Sequence, residues 1–216
     1  MTDTTFISRV LHILNEADSS ITGAELVGAD MTNMEEYIRA HYPAAFRRAV
    51  GIMPTSYFIP KPFTENIVKV TNPTDGTGYV ILPTDFLRLV KFKMQPWKTD
   101  CITLQEETPE INRKQLNEYL RGTIHNPICV WRYKVHNNTL KRAMYYYSLP
   151  KAADDTTHII ETALYISDVQ TLGNDIDVTD QGAEPLAWIC AATVLTTLEK
   201  ENSAKAIESK IIELIK

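Results

Sequence analysis

The hydrophobic pattern changes period twice along this chain, and that constrains its fold more than any other feature. Apolar residues recur at helical spacing over the first fifty positions. In the middle they alternate with polar ones, and helical spacing returns at the end. Strands grouped between helices predict an α+β class: helical N- and C-terminal segments packed with a central antiparallel β region. The boundaries expected for one domain over 1–216 are a helical part over 1–54, a β-rich middle with one inserted helix over 60–166, and C-terminal helices over 183–216.

The local signals are specific. Phe6, Ile7, Val10, Leu11 and Leu14 make a helical stripe that Asp18-Ser19-Ser20 should end. Thr32 and Glu35 have the spacing of a capping box. Met34, Tyr37, Ile38, Phe46, Ala49 and Val50 continue the stripe, with Pro43 expected to kink or restart the helix. Gly51 and Pro54 should close it. Ile67–Val70 and Tyr79–Leu82 read as strands joined by the turn-rich run from Asn72 to Gly78. Val90, Phe92 and Met94 alternate with Lys91 and Lys93, as in a half-buried strand. Thr108-Pro109 is an N-cap followed by proline. It predicts a helix that ends at Gly122 and buries Ile111, Leu116, Tyr119 and Leu120. Cys129–Val135 and Leu140–Ser148 predict a hairpin turning at His136–Thr139, and His158–Ile166 a further strand. Two helices close the chain: about 183–200, apolar nearly all round in its first half, and another from about Ser203.

Composition bounds the class. With 216 residues, 44% hydrophobic, the chain can bury a core without metal or disulfide support. Its three cysteines, Cys101, Cys129 and Cys190, are far apart in sequence, with no C-x-x-C pair. They read as small apolar side chains in a reducing cytoplasm. Met1–Thr5 has no basic cluster and no apolar run of a leader. The most apolar stretch, Leu186–Leu198, is interrupted by Thr193, Thr196 and Thr197 and is too short to span a bilayer. A net charge of −5 argues against a basic phosphate-gripping face.

No catalytic constellation emerges. The sequence has no G-x-S-x-G, P-loop, G-x-G-x-x-G or H-E-x-x-H motif. Taking Asp175 as the first position of a calcium loop places Asp177 and Thr179 correctly. The sixth position then falls on Asp180 instead of glycine, and the twelfth on Leu186 instead of glutamate. An acidic loop before a helix N-terminus is the better reading. His125 and Cys129 lack further ligands at familiar spacing. Cys129 lies in an alternating apolar strand, where an inert thiol is expected. Tyr145, Tyr146 and Tyr147 with Trp131 could form a base-stacking platform, but three successive strand tyrosines point to alternate faces. They fit core and rim better. Lys91 and Lys93, with Arg88 nearby, read as a solvated strand face. No catalytic, cofactor or metal-binding residue is expected, and no cofactor.

One stretch carries a resemblance. Tyr79-Val80-Ile81-Leu82-Pro83-Thr84-Asp85-Phe86-Leu87-Arg88-Leu89-Val90, with Trp97 beyond, resembles head–tail adaptor proteins of tailed phages, including podovirus and crAss-like ring proteins. There a strand ends in Leu-Pro-x-Asp-Phe, turns, and runs into another strand leading to a tryptophan. Here Leu82, Pro83, Asp85, Phe86, Leu87 and Trp97 are the structural motif. Pro83 would end the strand, Asp85 would bond backbone amides of the turn, and Phe86 would anchor the corner. Leu140–Pro150, Ala163–Ile166, Ile176–Val178 and the helix with Glu184, Pro185, Trp188, Ala191 and Ala192 follow the same order. Ser167-Asp168-Val169 departs from it, standing where the pattern often has a proline.

The resemblance implies a non-enzymatic virion protein, assembled in the host cytoplasm. It would form a dodecameric ring at the head–tail junction, with copies of itself, the portal protein and tail or further ring proteins as partners. DNA would pass through its channel without specific binding. The alternatives are another phage structural part, for tail completion or capsid stabilisation, or a small enzyme. Ile207, Ile211, Leu214 and Ile215 are the candidate interface, the competing reading being that this stripe packs on helix 183–200.

Overall fold

A computed structural model describes residues 1–17, 31–63, 67–173 and 176–215, with 31–33 as backbone only. The chain forms two compact units: a helical one from Met1–Ile59 and Asp168–Lys216, and a β unit from Pro60–Ser167. The architecture is α+β, as expected.

The helical unit contains α1 (Asp3–Ala17), α2 (Met31–Ile52), α4 (Asp180–Thr197) and α5 (Glu201–Ile215). α4 is its centre, and α1, α2 and α5 all pack on it. Leu186, Ala187, Ile189, Cys190, Ala191, Ala192, Val194 and Leu195 are all fully buried. The small residues let neighbouring helices approach, and the threonines are accommodated by bonding back to the helix. Thr193 Oγ1 and Thr196 Oγ1 donate to Ile189 O and Ala192 O, each at 2.8 Å. α1 turns Phe6, Ile7, Val10, Ile13 and Leu14 inward. Phe6 meets Tyr42 edge-on at 5.5 Å, and Phe46 meets Phe58 edge-on at 5.6 Å. Four arginines tie the exterior: Arg9 to Glu184, Arg39 to Asp3, Arg47 to Asp168 and Arg48 to Glu208.

Three expectations change here. Of the two outcomes expected at Pro43, a kink or a restart, the restart does not occur: α2 is continuous across it; a helix tolerates one missing amide bond when its flanks are held by packing, as Tyr42, Ala45 and Phe46 are. α4 starts at Asp180, earlier than 183, and stops in a tight cap. Glu199 adopts a left-handed φ of 59°, so Glu199 N bonds Thr196 O and Lys200 N bonds Leu195 O. Ile207 and Ile211 of the candidate interface are buried, and only Leu214 and Ile215 remain half-buried. α5 packs closely on α4, so the inner part of that stripe is not open to a neighbour. The ends expected at Asp18-Ser19-Ser20 and the Thr32 capping side chain lie outside what is described.

The β unit has two sheets. One is β1 (Lys61–Pro62), β8 (Ile160–Ser167) and β4 (Phe86–Met94), antiparallel in the order β1-β8-β4. The other runs β2-β3-β7-β6-β5, from β2 (Lys69–Asn72), β3 (Thr77–Ile81), β7 (Thr139–Tyr146), β6 (Cys129–His136) and β5 (Leu104–Glu106). Their shared core includes Val80, Cys129, Met144 and Tyr146 from the second sheet and Phe86, Leu89, Phe92, Met94 and Tyr165 from the first. The turn before β3 forms as read: Gly76 takes φ 66°. The β6–β7 turn forms at Asn137 and Asn138, with φ 49° and 58°.

β5 pairs parallel to β6, so the second sheet is mixed. A parallel pair needs a long crossover, and residues 107–128 supply it with the inserted helix α3 (Pro109–Leu116). Thr108 caps α3 as read, accepting from Ile111 N at 3.2 Å. α3 buries a different face from the one its apolar spacing predicts. Leu116, Tyr119 and Leu120 are 73, 94 and 62% exposed, whereas Gln115 is buried. The helix stops at Leu116 because Asn117 Oδ1 takes Tyr119 N at 2.9 Å, and Gln115 Oε1 takes Gly122 N at 3.1 Å. Side-chain acceptors replace the helical ones, and the chain swings its apolar residues outward.

Candidate functional site: the β-unit surfaces

The motif residues fall into two groups. Leu82, Phe86 and Trp97 join one core, while Leu87 is half-buried at its edge. Pro83 O accepts Phe86 N at 3.2 Å and closes the corner between β3 and β4. Phe86 stacks on Tyr165 with centroids 5.6 Å apart, and Phe63 stands edge-on to both. Trp97 Nε1 donates to Ser148 O at 3.0 Å, satisfying the one polar atom that burial would orphan. Asp85 does not serve the turn amides as expected. Its carboxylate accepts Tyr165 Oη at 3.0 and 3.2 Å, because β8 runs beside β4 and carries that hydroxyl to the corner. Burial pushes the Tyr165 phenol up to about 12, and the Asp85 bond acts in the same direction.

The three tyrosines divide as alternation requires. Tyr146 enters the inter-sheet core, while Tyr145 and Tyr147 lie in the cluster on the other face of the sheet, beneath Ile111 of α3. All three are buried, which favours the core reading over a stacking platform. Above Tyr145, the Arg132 guanidinium stands 3.7 Å from the ring centroid and also binds Glu107 at 2.8 Å. Tyr79, Tyr145, Tyr147, Arg121, Arg132 and Lys151 border an open cleft of about 480 Å³. Its cations are already engaged: Lys151 with Glu118 at 2.8 Å, Arg121 with Asp75 O at 2.9 Å. The lysines of β4 are likewise paired, Lys91 with Asp100 and Lys93 with Glu161.

His158, which no motif flagged, is fully buried. Its Nδ1 is 2.9 Å from Tyr146 Oη, its carbonyl accepts from Lys69 Nζ, and its Nε2 has no partner among the described residues. Burial holds the imidazole below its ordinary value. Cys129 is completely buried and its thiol is pushed well up, so it is no nucleophile at neutral pH. Cys101, distant in sequence, is brought against it by the bridge between Phe92 and Cys101 and the pairing of Leu104 with Cys129. His125 contributes its carbonyl to Thr99 Oγ1 and stays apart from Cys129's core. Of the calcium-loop candidates, Asp175 lies outside the described residues. Thr179 Oγ1 donates to Tyr57 O. Among the described residues no group of three or more His, Cys, Asp or Glu could hold a metal ion. No helix among them is long and apolar enough to cross a membrane.

Apolar surface on the β unit concentrates in two places. One is the 116–120 segment, where α3 ends. The other is the far half of the β6–β7 hairpin, where Tyr133, Val135 and Leu140 are exposed. Alternation placed Tyr133 and Val135 on a single face correctly, but gave no sign that the sheet ends before reaching them. In sequence comparisons the chain matches no protein-family model and no curated protein.

Proposed function

We propose that this chain is a structural subunit of a tailed-phage virion, one copy of a closed ring at the head–tail junction that joins portal to tail and lines the DNA exit channel. The observation that carries the reading is the ordered run from Leu82 to Trp97. Its strand end, corner, second strand and terminal tryptophan resemble the course found in phage adaptor proteins, with Leu82, Phe86 and Trp97 in one core here. Clustered apolar side chains exposed on the β unit support it further, since patches of this kind mark contact surfaces. A net acidic wall suits a channel that must pass DNA without retaining it.

The test is electron microscopy of the purified chain mixed with a candidate portal protein. Dodecameric rings seated on the portal are the expected result. Chain and portal that remain separate, or intact virions that lack the chain, overturn the proposal. Virions that carry it away from the head–tail junction indicate tail completion or capsid stabilisation instead.

A further inference from the structure

The β6–β7 hairpin outgrows its sheet. β5 accompanies β6 only to Glu106, opposite Trp131. β3 accompanies β7 only over Ala143–Tyr146, with one further bond from Leu82 N to Arg142 O. In the ladder, residues 134–141 pair only with one another. A lone two-stranded ribbon is marginal in water, and this one adds two costs. One face presents Tyr133, Val135 and Leu140, at 59, 63 and 63% exposure, with Val135 directly opposite Leu140. The other face sets Lys134 directly opposite Lys141, a like-charge pair that destabilises an isolated ribbon. Lys134 Nζ, 5.8 Å from the Tyr79 ring centroid, is only loosely compensated. An arm of this kind calls for a surface with an apolar spot among carboxylates.

The chain carries such a surface. Charge is unevenly divided between its units. The helical unit holds 16 Asp and Glu against 8 Lys and Arg, a balance of −8, and the β unit 11 against 14, a balance of +3, together the −5 of the whole chain. On α5 of the acidic unit, Ile212 is 59% exposed. Helical spacing sets Ile215 and Glu208, the latter bound to Arg48, on its stripe, and Glu213, 3.3 Å from Lys210, adjoins it, so the arm's lysines would compete with those cations for the carboxylates. A ring of identical subunits is closed by a contact in which one face meets a different face of the neighbour. A basic unit and an acidic unit in one chain suit that arrangement.

We infer that the hairpin is an intersubunit arm whose Tyr133, Val135 and Leu140 face packs around Ile212 on α5 of a second copy of this chain, with Lys134 and Lys141 meeting the carboxylates of that acidic unit. The inference rests on the ring reading. It specifies which surfaces close the ring.

Two experiments test it in the assembly of chain with portal. First, a photo-crosslinking phenylalanine replaces Tyr133 in an equal mixture of isotopically heavy and light chains. Heavy–light crosslinks joining the arm to residues 201–215 are expected. Second, Lys134→Glu creates an opposite-charge pair with Lys141. It should leave the free subunit at least as stable to urea while weakening assembly several-fold, and Glu213→Lys should restore part of the loss. Rings that form normally with Lys134→Glu, or crosslinks that reach only the same chain, the portal or a neighbour's β unit, overturn the inference and leave the ring standing. An unsubstituted chain that forms no ring overturns both.

Discussion

The two units dispose of their apolar side chains differently. In the helical unit, α4 is enclosed on nearly every side, and α1, α2 and α5 close their apolar stripes against it. Its exposed Ile52 and Ile59 stand singly, as is ordinary for a protein surface. The β unit leaves two clusters uncovered, at 116–120 and at 133–140. A helix surrounded by helices has no apolar side left over. A hairpin longer than its neighbours extends its alternating pattern past the core.

The sharpest test of that contrast compares buried with exposed aromatics in the β unit. Trp97→Ala should cost about 3–5 kcal/mol, through lost burial and the cavity left behind. Tyr119→Ala should stay within about 0.5 kcal/mol. Urea denaturation followed by far-UV circular dichroism measures both. Comparable losses would mean that the 116–120 cluster belongs to the fold.

Acid should separate the units next. His158 is held by burial below the ordinary imidazole value of 6.5, so below that pH the unfolded chain takes up a proton that the folded β unit resists. This contribution is complete above about pH 6.5 and is lost as the pH falls below it. In the helical unit, Arg39, Arg47 and Arg9 hold Asp3, Asp168 and Glu184 below the usual carboxylate values of 3.8 to 4.5. Their contribution persists above those values and is lost only as the pH falls through the lower folded ones. Hydrogen exchange, corrected for intrinsic rates, should show the β unit loosening first between pH 7 and 5. Loosening that begins in the helical unit would break the comparison.

The smallest expected effect is a gain. Glu199 holds the left-handed cap of α4 with a side chain that disfavours it. Glu199→Gly should raise stability by about 1 kcal/mol, read as a shifted urea midpoint without a change in slope. A loss would show that the Glu199 side chain has a role the cap geometry does not reveal.

Much of the fold was legible because local signals agreed with one another. The β6–β7 hairpin, the Gly76 turn, the Thr108 cap, the β8 strand and the buried α4 all follow from period, turn residues and capping. The failures share one cause. Ile111, Leu116, Tyr119 and Leu120 recur at helical spacing, but Asn117 ended the helix with its own side chain, and no periodicity encodes that competition. β5 is three residues long and pairs in parallel, so its existence depends on β6, far along the chain. Asp85 found Tyr165 across eighty positions instead of the turn beside it.

The order of residues by itself determined most of the helices and strands, the turns between the hairpin strands, and that apolar side chains suffice for a core. Those properties follow from contacts a few residues apart, which backbone geometry dictates. The tertiary structure alone decided which apolar faces stay open, where His158 is enclosed, and that Cys101 meets Cys129. Exposure depends on what lies opposite, and a neighbour from a distant part of the chain leaves no mark on local pattern.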